Sequence, residues 1–182
     1  MDEQQSPFQA AIKPGLTIGL ISLALTFIAY FIDSSLLGSA WFGLIAIVLF
    51  IVLMMYFGKE YRNELGGFMT FGTAFNFSFV AIVISGLVGL VGQILLFHVI
   101  DPSLGGVLAD QAFENSLSMM ESFGQDPDTM DPALLEEMRT NTARGFTLSG
   151  QLMSFGFGLI VYAIIALILA AILKKRDKSL DY

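Results

Sequence analysis

The sequence predicts an all-α fold: an integral membrane four-helix bundle with a helical extracytoplasmic loop between the third and fourth membrane helices. Composition and the distribution of charge both indicate this class. Of the 182 residues, 55% are hydrophobic and 14% are charged, against about 45–50% and about 25% in soluble domains. The apolar residues are concentrated in four long runs that are nearly free of charge, so one compact soluble core does not account for them.

The four runs have the lengths of membrane helices, which we place at about 15–32, 40–57, 70–100 and 146–173. A helix needs about 20 residues to cross a bilayer, so the last two runs are long enough to tilt, kink or project beyond the apolar layer. Backbone polar groups in hydrocarbon must be paired internally, and the runs lack the alternation typical of a transmembrane β-strand. We therefore predict helices throughout and treat residues 1–182 as a single membrane domain.

Positive charge predicts the orientation, because Lys and Arg near membrane ends favour the cytoplasm. The N-terminus, the 58–67 loop and the C-terminus carry seven such residues: Lys13, Lys59, Arg62, Lys174, Lys175, Arg176 and Lys178. The 33–40 turn and the 101–145 loop carry two, Arg139 and Arg144. Both termini are therefore predicted to be cytoplasmic. A cleaved signal peptide is disfavoured, since Asp2 and Glu3 make a poor basic leader.

The long outer loop, about 101–145, is predicted to contain two amphipathic helices. Asp101-Pro102 and Asp131-Pro132 each resemble an N-cap followed by the first helical residue. Apolar residues then recur at helical spacing, which gives helices at roughly 102–123 and 132–143 with a stop at Gly124. Their apolar faces can pack on each other, lie on the outer leaflet or bind a partner, and self-packing is the simplest of these interpretations.

No residue pattern predicts a catalytic, cofactor-binding or metal site. The chain has no cysteine. Asp126, Asp128 and Glu137 have partial calcium-loop spacing, but Asp131 stands where that loop requires glycine, so a solvated acidic turn is favoured. His98 is the single histidine and lacks the further ligands that zinc needs. The net charge of −7 argues against nucleic acid as a partner.

Small and polar residues within the runs predict helix packing. Gly15 and Gly19 form one close-packing pair, and Gly150, Ser154 and Gly158 form a stripe. Such faces fit contacts within the chain, a homo-oligomer or a membrane-protein partner equally well. Asn76 and Gln93 are interpreted as donors and acceptors of hydrogen bonds between helices. The polar residues within the runs are uncharged, which argues against a proton-coupled or ion-carrying role for a monomer.

The segment Lys59–Phe75, KEYRNELGGFMTFGTAF, joins a charged turn to Gly66-Gly67 and an aromatic helix entry. With the acidic Asp-Pro loop and the Lys-Lys-Arg tail, the chain resembles domain-of-unknown-function family 4199, an uncharacterised membrane family of Bacteroidota. The resemblance covers nearly the whole chain and implies four membrane helices in a bacterial inner membrane. It implies no activity, and no site residue is carried over from it.

Three functions remain open at this stage. The leading hypothesis is a non-enzymatic scaffold or accessory subunit in the lipid bilayer. The alternative is a small transporter or channel component that works as an oligomer around Asn76 and Gln93. A membrane enzyme using His98 and acids of the outer loop is the third, and it requires His98 to face a cleft lined by such an acid.

Overall fold

The computed structural model describes residues 5–176, so Asp2, Glu3 and Lys178, which entered the predictions above, lie outside the described residues. The described chain folds into six α-helices: α1 (Pro7–Ile32), α2 (Ala40–Glu64), α3 (Phe71–Leu95), α4 (Leu104–Ser122), α5 (Pro132–Gly145) and α6 (Leu148–Leu173). Short 3₁₀ turns occur at Ser34–Gly38 and Pro127–Thr129, and Leu96–Ile100 extends α3 as a π-helical turn.

Four of these segments are long and apolar enough to cross a membrane: Pro7–Ile32, Ala40–Glu64, Phe71–Ile100 and Leu148–Leu173. This confirms the predicted all-α membrane bundle with four candidate spans. Helix α2 is the most exposed of them, since 6% of its most apolar stretch is buried against 22–28% in the others. Most of its surface is therefore available to lipid or to another protein.

Two helices extend past the limits predicted from hydropathy. Helix α1 begins at Pro7 rather than at about 15, and it continues through Pro14. Proline removes one backbone donor, so the carbonyl of Ala10 loses its helical partner while the helix continues. Helix α2 ends at Glu64 rather than at 57, because backbone hydrogen bonding continues where apolar side chains give way to charged ones.

The chain forms two compact units. Unit 1 contains the described residues up to Leu25, together with Leu44–Gly89 and those from Gly156 onward. Unit 2 contains Thr26–Gly43 and Leu90–Phe155. Helices α1, α2, α3 and α6 contribute residues to both units, whereas α4 and α5 belong to unit 2 alone.

In unit 1, α1 and α3 approach each other closely through glycine. A Cβ atom on Gly15 would lie 2.8 Å from the backbone oxygen of Ala81, and one on Gly19 would lie 2.7 Å from the Cβ of Val88. Real Cβ atoms do not approach this closely, so the contact requires glycine at both positions. The predicted close-packing pair is thus occupied by contacts within the chain.

Interactions at the helix ends hold the rest of unit 1 together. The phenol of Tyr61 donates to the backbone oxygen of Gln5 at 3.3 Å, so the start of α1 lies beside the end of α2. A guanidinium nitrogen of Arg62 donates to the backbone oxygen of Leu173 at 3.3 Å and so caps the end of α6. The backbones of Met69 and Lys175 pair in an isolated antiparallel bridge.

In unit 2, helix α4 packs on its neighbours through its first two turns. Leu104 and Leu108 are buried with Leu96 and Phe97, and the ring of Phe97 lies 5.9 Å from that of Phe146. The side-chain amides of Gln111 and Asn115 then donate to backbone oxygens of the 34–38 turn, those of Ser35 and Gly38 respectively. The self-packed interpretation therefore describes α4 well.

Helix α5 packs less deeply than α4. Its predicted apolar residues Leu135 and Met138 are half-buried and Leu134 is exposed. An ion pair of 2.9 Å between Arg139 and Asp110 links α5 to α4 on the surface. The Asp110 carboxylate raises the pKa of the Arg139 guanidinium through this hydrogen bond and its charge.

The two Asp-Pro pairs have different roles. Asp131 is the N-cap of α5, accepting a bond from the backbone N–H of Ala133, with Pro132 at the first helical position as predicted. The prediction for Asp101 was wrong by two residues, because Asp101 ends the π-helical turn and α4 begins at Leu104 after Ser103. The Asp101 carboxylate accepts from the Ser103 hydroxyl and backbone, from Tyr30 and from the backbone of Leu104, and these bonds lower its pKa.

Substitution of Gly19 tests the contact between α1 and α3. We expect Gly19→Ala to destabilise the protein by about 1–3 kcal/mol, because the added methyl group must displace Val88 or move the helices apart. Gly89→Ala is the matched control, since a Cβ there has no atom within 4 Å. Thermal unfolding in detergent measures both variants, and equal stability of the two would contradict the close contact.

Candidate functional site

His98 is exposed in the π-helical turn, and among residues 5–176 no hydrogen bond or ion pair joins it to an acid of the outer loop. It does not line either of the two clefts described below. The geometry that the enzyme hypothesis required for His98 is therefore not met in these clefts.

Asp126, which has calcium-loop spacing, and Asp131, which stands where that loop requires glycine, serve as local caps. Asp126 accepts a hydrogen bond of 3.0 Å from the backbone N–H of Asp128, and Asp131 caps α5. Among residues 5–176, no group of three or more His, Asp or Glu side chains is arranged to hold a metal ion. The outer loop uses these acids to begin helical turns.

One large cleft belongs to unit 1 and lies between the first half of α1 and the second half of α2. Its volume is about 1030 Å³. Its apolar wall is formed chiefly by Leu16, Leu20, Tyr56 and Phe57. We call it the amphiphilic cleft, because its other wall is polar: Gln5, Gln9, Lys13, Thr17, Glu60 and Glu64.

The floor of the amphiphilic cleft is aromatic and rigid. Tyr61 and Phe77, both buried, stack with ring centroids 4.8 Å apart and planes inclined by 14°. The hydrogen bond from Tyr61 to Gln5 closes the end of the floor. Aromatic stacking of this kind adds to the stabilisation from burial, so the cleft has a fixed base.

The helical periods of α1 and α2 explain the composition of the cleft. At 100° per residue, Ala11, Gly15 and Ile18 face α3, and Lys13 and Leu20 lie on the opposite side of α1. Glu60 and Glu64 are four residues apart and so share one face of α2. The packing of α1 with α2 then places one ammonium and two carboxylates in the lining of one cleft.

The charged residues that line this cleft have no ion-pair partner among residues 5–176. Lys13, Glu60 and Glu64 are all exposed, and within the described residues none of them makes an ion pair. Along α1, the charged and apolar parts of the lining are separated. Lys13 precedes Leu20 by about 10 Å of helix at 1.5 Å per residue. An amphiphilic molecule fits this gradient of polarity.

A smaller cleft of about 250 Å³ belongs to unit 2. Gln93 and Gln151 line it beside Phe97 and Phe146. Gln151 is 4% exposed, its side-chain nitrogen donates to the backbone oxygen of Phe146, and its Oε1 has no hydrogen-bond partner. A buried amide oxygen left without a donor is costly, so Gln151 carries one unused acceptor beside this cleft.

The side chains of the two polar residues predicted to join helices are exposed. Neither the Asn76 nor the Gln93 side chain forms a hydrogen bond with another described residue. Hydrogen bonds from these side chains to helices of another chain stay a prediction. Ser78 is fully buried instead, with its hydroxyl unpaired.

The members of the second small-residue stripe also differ from one another. A Cβ on Gly150 would overlap the backbone of Arg144, so this glycine serves the turn between α5 and α6. Ser154 is exposed, and a Cβ on Gly158 would meet only Tyr162 of its own helix, at 3.5 Å. Contact with a second chain through this stripe stays a prediction.

Sequence reasoning missed the amphiphilic cleft. The spacing of Glu60 and Glu64 was visible, but Lys13 is 47 residues away from Glu60 in the printed sequence. Only the packing of α1 against α2 brings them to one opening. The charged residues were used to predict orientation, and their proximity carried no sequence signal.

Comparison with known proteins places the chain in a family. No curated protein and no solved structure matches it. A family model described as "Protein of unknown function (DUF4199)" matches residues 13–175, which include all four candidate membrane spans except the first residues of α1. The resemblance seen in the sequence is thereby confirmed, and the chain belongs to the DUF4199 family of proteins of unknown function.

Proposed function

We propose that this protein is a non-enzymatic scaffold or accessory subunit of the bacterial inner membrane, with both termini in the cytoplasm. The observation that supports it best is an open polar face near the start of α3. Asn76 is exposed without a hydrogen-bond partner in the described chain, and a Cβ on Gly72 would have no atom within 4 Å. The two residues are four apart and so lie on one face of the helix.

This face has the two properties that membrane helices use to associate. Glycine lets another backbone approach closely, and an asparagine amide can bond across the contact, at about 0.6–2 kcal/mol. Asn76 lies about 8 Å along α3 from Phe71 at 1.5 Å per residue. An amide facing hydrocarbon without a partner is costly, so a second helix at this face would satisfy it.

The cytoplasmic placement of both termini rests on charge and on the contacts of unit 1. The start of α1, the connection between α2 and α3, and the end of α6 lie together through the Tyr61–Gln5 and Met69–Lys175 contacts. These are the segments with the excess of Lys and Arg. Their grouping supports a common side, and the positive-inside rule favours the cytoplasm for that side.

Cysteine labelling tests this orientation, and the native chain has no cysteine to interfere. In intact spheroplasts, a membrane-impermeant maleimide should label Glu137→Cys in α5. It should label Asn63→Cys at the end of α2 only after permeabilisation. Both positions are exposed in the structure. The reverse pattern would contradict the proposed orientation.

Cross-linking tests the partner face. We expect Gly72→Cys in the otherwise cysteine-free chain to form a disulfide-linked dimer if the partner is a second copy, or a stoichiometric adduct with another membrane protein. Adding Asn76→Leu should reduce that product, because the amide can no longer bond across the contact. Val48→Cys on exposed α2 is the control. A monomeric native mass with no recovered partner and no adduct would overturn the proposal.

The alternative, a transporter or channel component, is favoured by one observation: the unpaired Oε1 of Gln151 in the cleft that Gln93 also lines. We expect Gln151→Leu to abolish any solute flux measured in proteoliposomes, because it removes the buried acceptor and keeps similar volume. Gln125→Leu, the same substitution at an exposed position outside that cleft, is the control. Wild-type proteoliposomes that show no flux or conductance would exclude this role.

A further inference from the structure

We infer that the amphiphilic cleft of unit 1 binds one phospholipid whose headgroup carries a primary ammonium, of the phosphatidylethanolamine type. This goes beyond the scaffold role, since Gly72 and Asn76 do not line the cleft. The inference rests on the volume of the cleft, its gradient of polarity and the arrangement of its unpaired charges.

The size and the walls of the cleft suit an amphiphile. Its volume of about 1030 Å³ is at the upper end of the range of about 300–1,000 Å³ for ligand pockets. Leu16, Leu20 and Phe57 offer an apolar wall toward the middle of the membrane helices. An acyl chain along this wall would remain in apolar surroundings while its headgroup reaches the charged end.

The charges at the opening distinguish between headgroups. The two carboxylates, Glu60 and Glu64, can accept charge-assisted hydrogen bonds from an ammonium, and Lys13 can donate to the phosphate. The amides of Gln5 and Gln9 add neutral donors at the same end. A zwitterionic headgroup that carries an ammonium and a phosphate can therefore pair with both carboxylates and with Lys13.

Other phospholipids match the opening less well. An anionic headgroup without an amine would leave both carboxylates unpaired and facing like charge. A quaternary ammonium has no N–H to donate. The net negative opening therefore selects against phosphatidylglycerol more strongly than against phosphatidylcholine.

The position of the opening agrees with the binding of a lipid headgroup. It lies where α1 begins and α2 ends, the level at which headgroups meet a membrane-spanning helix. The carbonyl of Ala10, which Pro14 leaves without its helical donor, also belongs to residues that border the cleft. It is a further acceptor for an ammonium in that region.

The experiment uses the full chain in nanodiscs of equal parts phosphatidylethanolamine, phosphatidylglycerol and phosphatidylcholine with identical acyl chains. Native mass spectrometry measures which lipid is retained on the released protein. We expect one phosphatidylethanolamine retained in preference to the other two. The double variant E60Q/E64Q should lower its preference over phosphatidylglycerol by about tenfold or more, because charge-assisted hydrogen bonds are lost.

Two further variants keep the test decisive. E136Q/E137Q removes the same charge from exposed positions in α5 and should leave the preference unchanged. Thr17→Trp adds bulk inside the cleft without altering its charges, and it should remove the retained lipid even if E60Q/E64Q fails to fold. Retention in proportion to the bilayer composition, a preference for phosphatidylglycerol, or a preference that survives both cleft variants would overturn the inference.

Discussion

The close contact of α1 with α3 is the constraint on which the rest of unit 1 depends. Gly15 and Gly19 leave room for the backbone of Ala81 and the side chain of Val88. In lipid, helices gain little from burying apolar surface, so close van der Waals packing of small residues has to supply much of the association energy. Fixing one face of α1 in this way determines which of its residues face elsewhere.

The amphiphilic cleft follows from that constraint. With its glycine face against α3, α1 directs Lys13 and Leu20 toward α2. The stacked pair of Tyr61 and Phe77 forms a floor but does not fill the space above it. Side chains long enough to close the gap, such as Glu60 and Glu64, carry charges that stay at its opening. Polar groups that are unpaired in a lipid-facing cleft must find their partners in the surrounding membrane.

The sequence predicted the fold well because the bilayer restricts the choices. The length of each apolar run and the need for internal backbone pairing determine the number and type of spans. Gly124, with φ of 80°, follows the end of α4, as the preference of glycine for this conformation predicted. Prediction failed where packing outweighs local preference. Asp101 did not cap α4 in the expected register. Asn76 turned outward, because helical spacing fixes a face but does not say what the face meets.

The unpaired polar groups divide into two kinds with different consequences. Ser78 is fully buried, so its hydroxyl has only protein nearby and lowers stability without offering a contact to any partner. Asn76 and the charged residues that line the amphiphilic cleft are exposed instead. Hydrocarbon cannot satisfy a polar group as water does, so an exposed amide such as that of Asn76 gains from a partner helix. The exposed polar groups are therefore the features that most directly support the proposed binding to helices or lipids outside the chain.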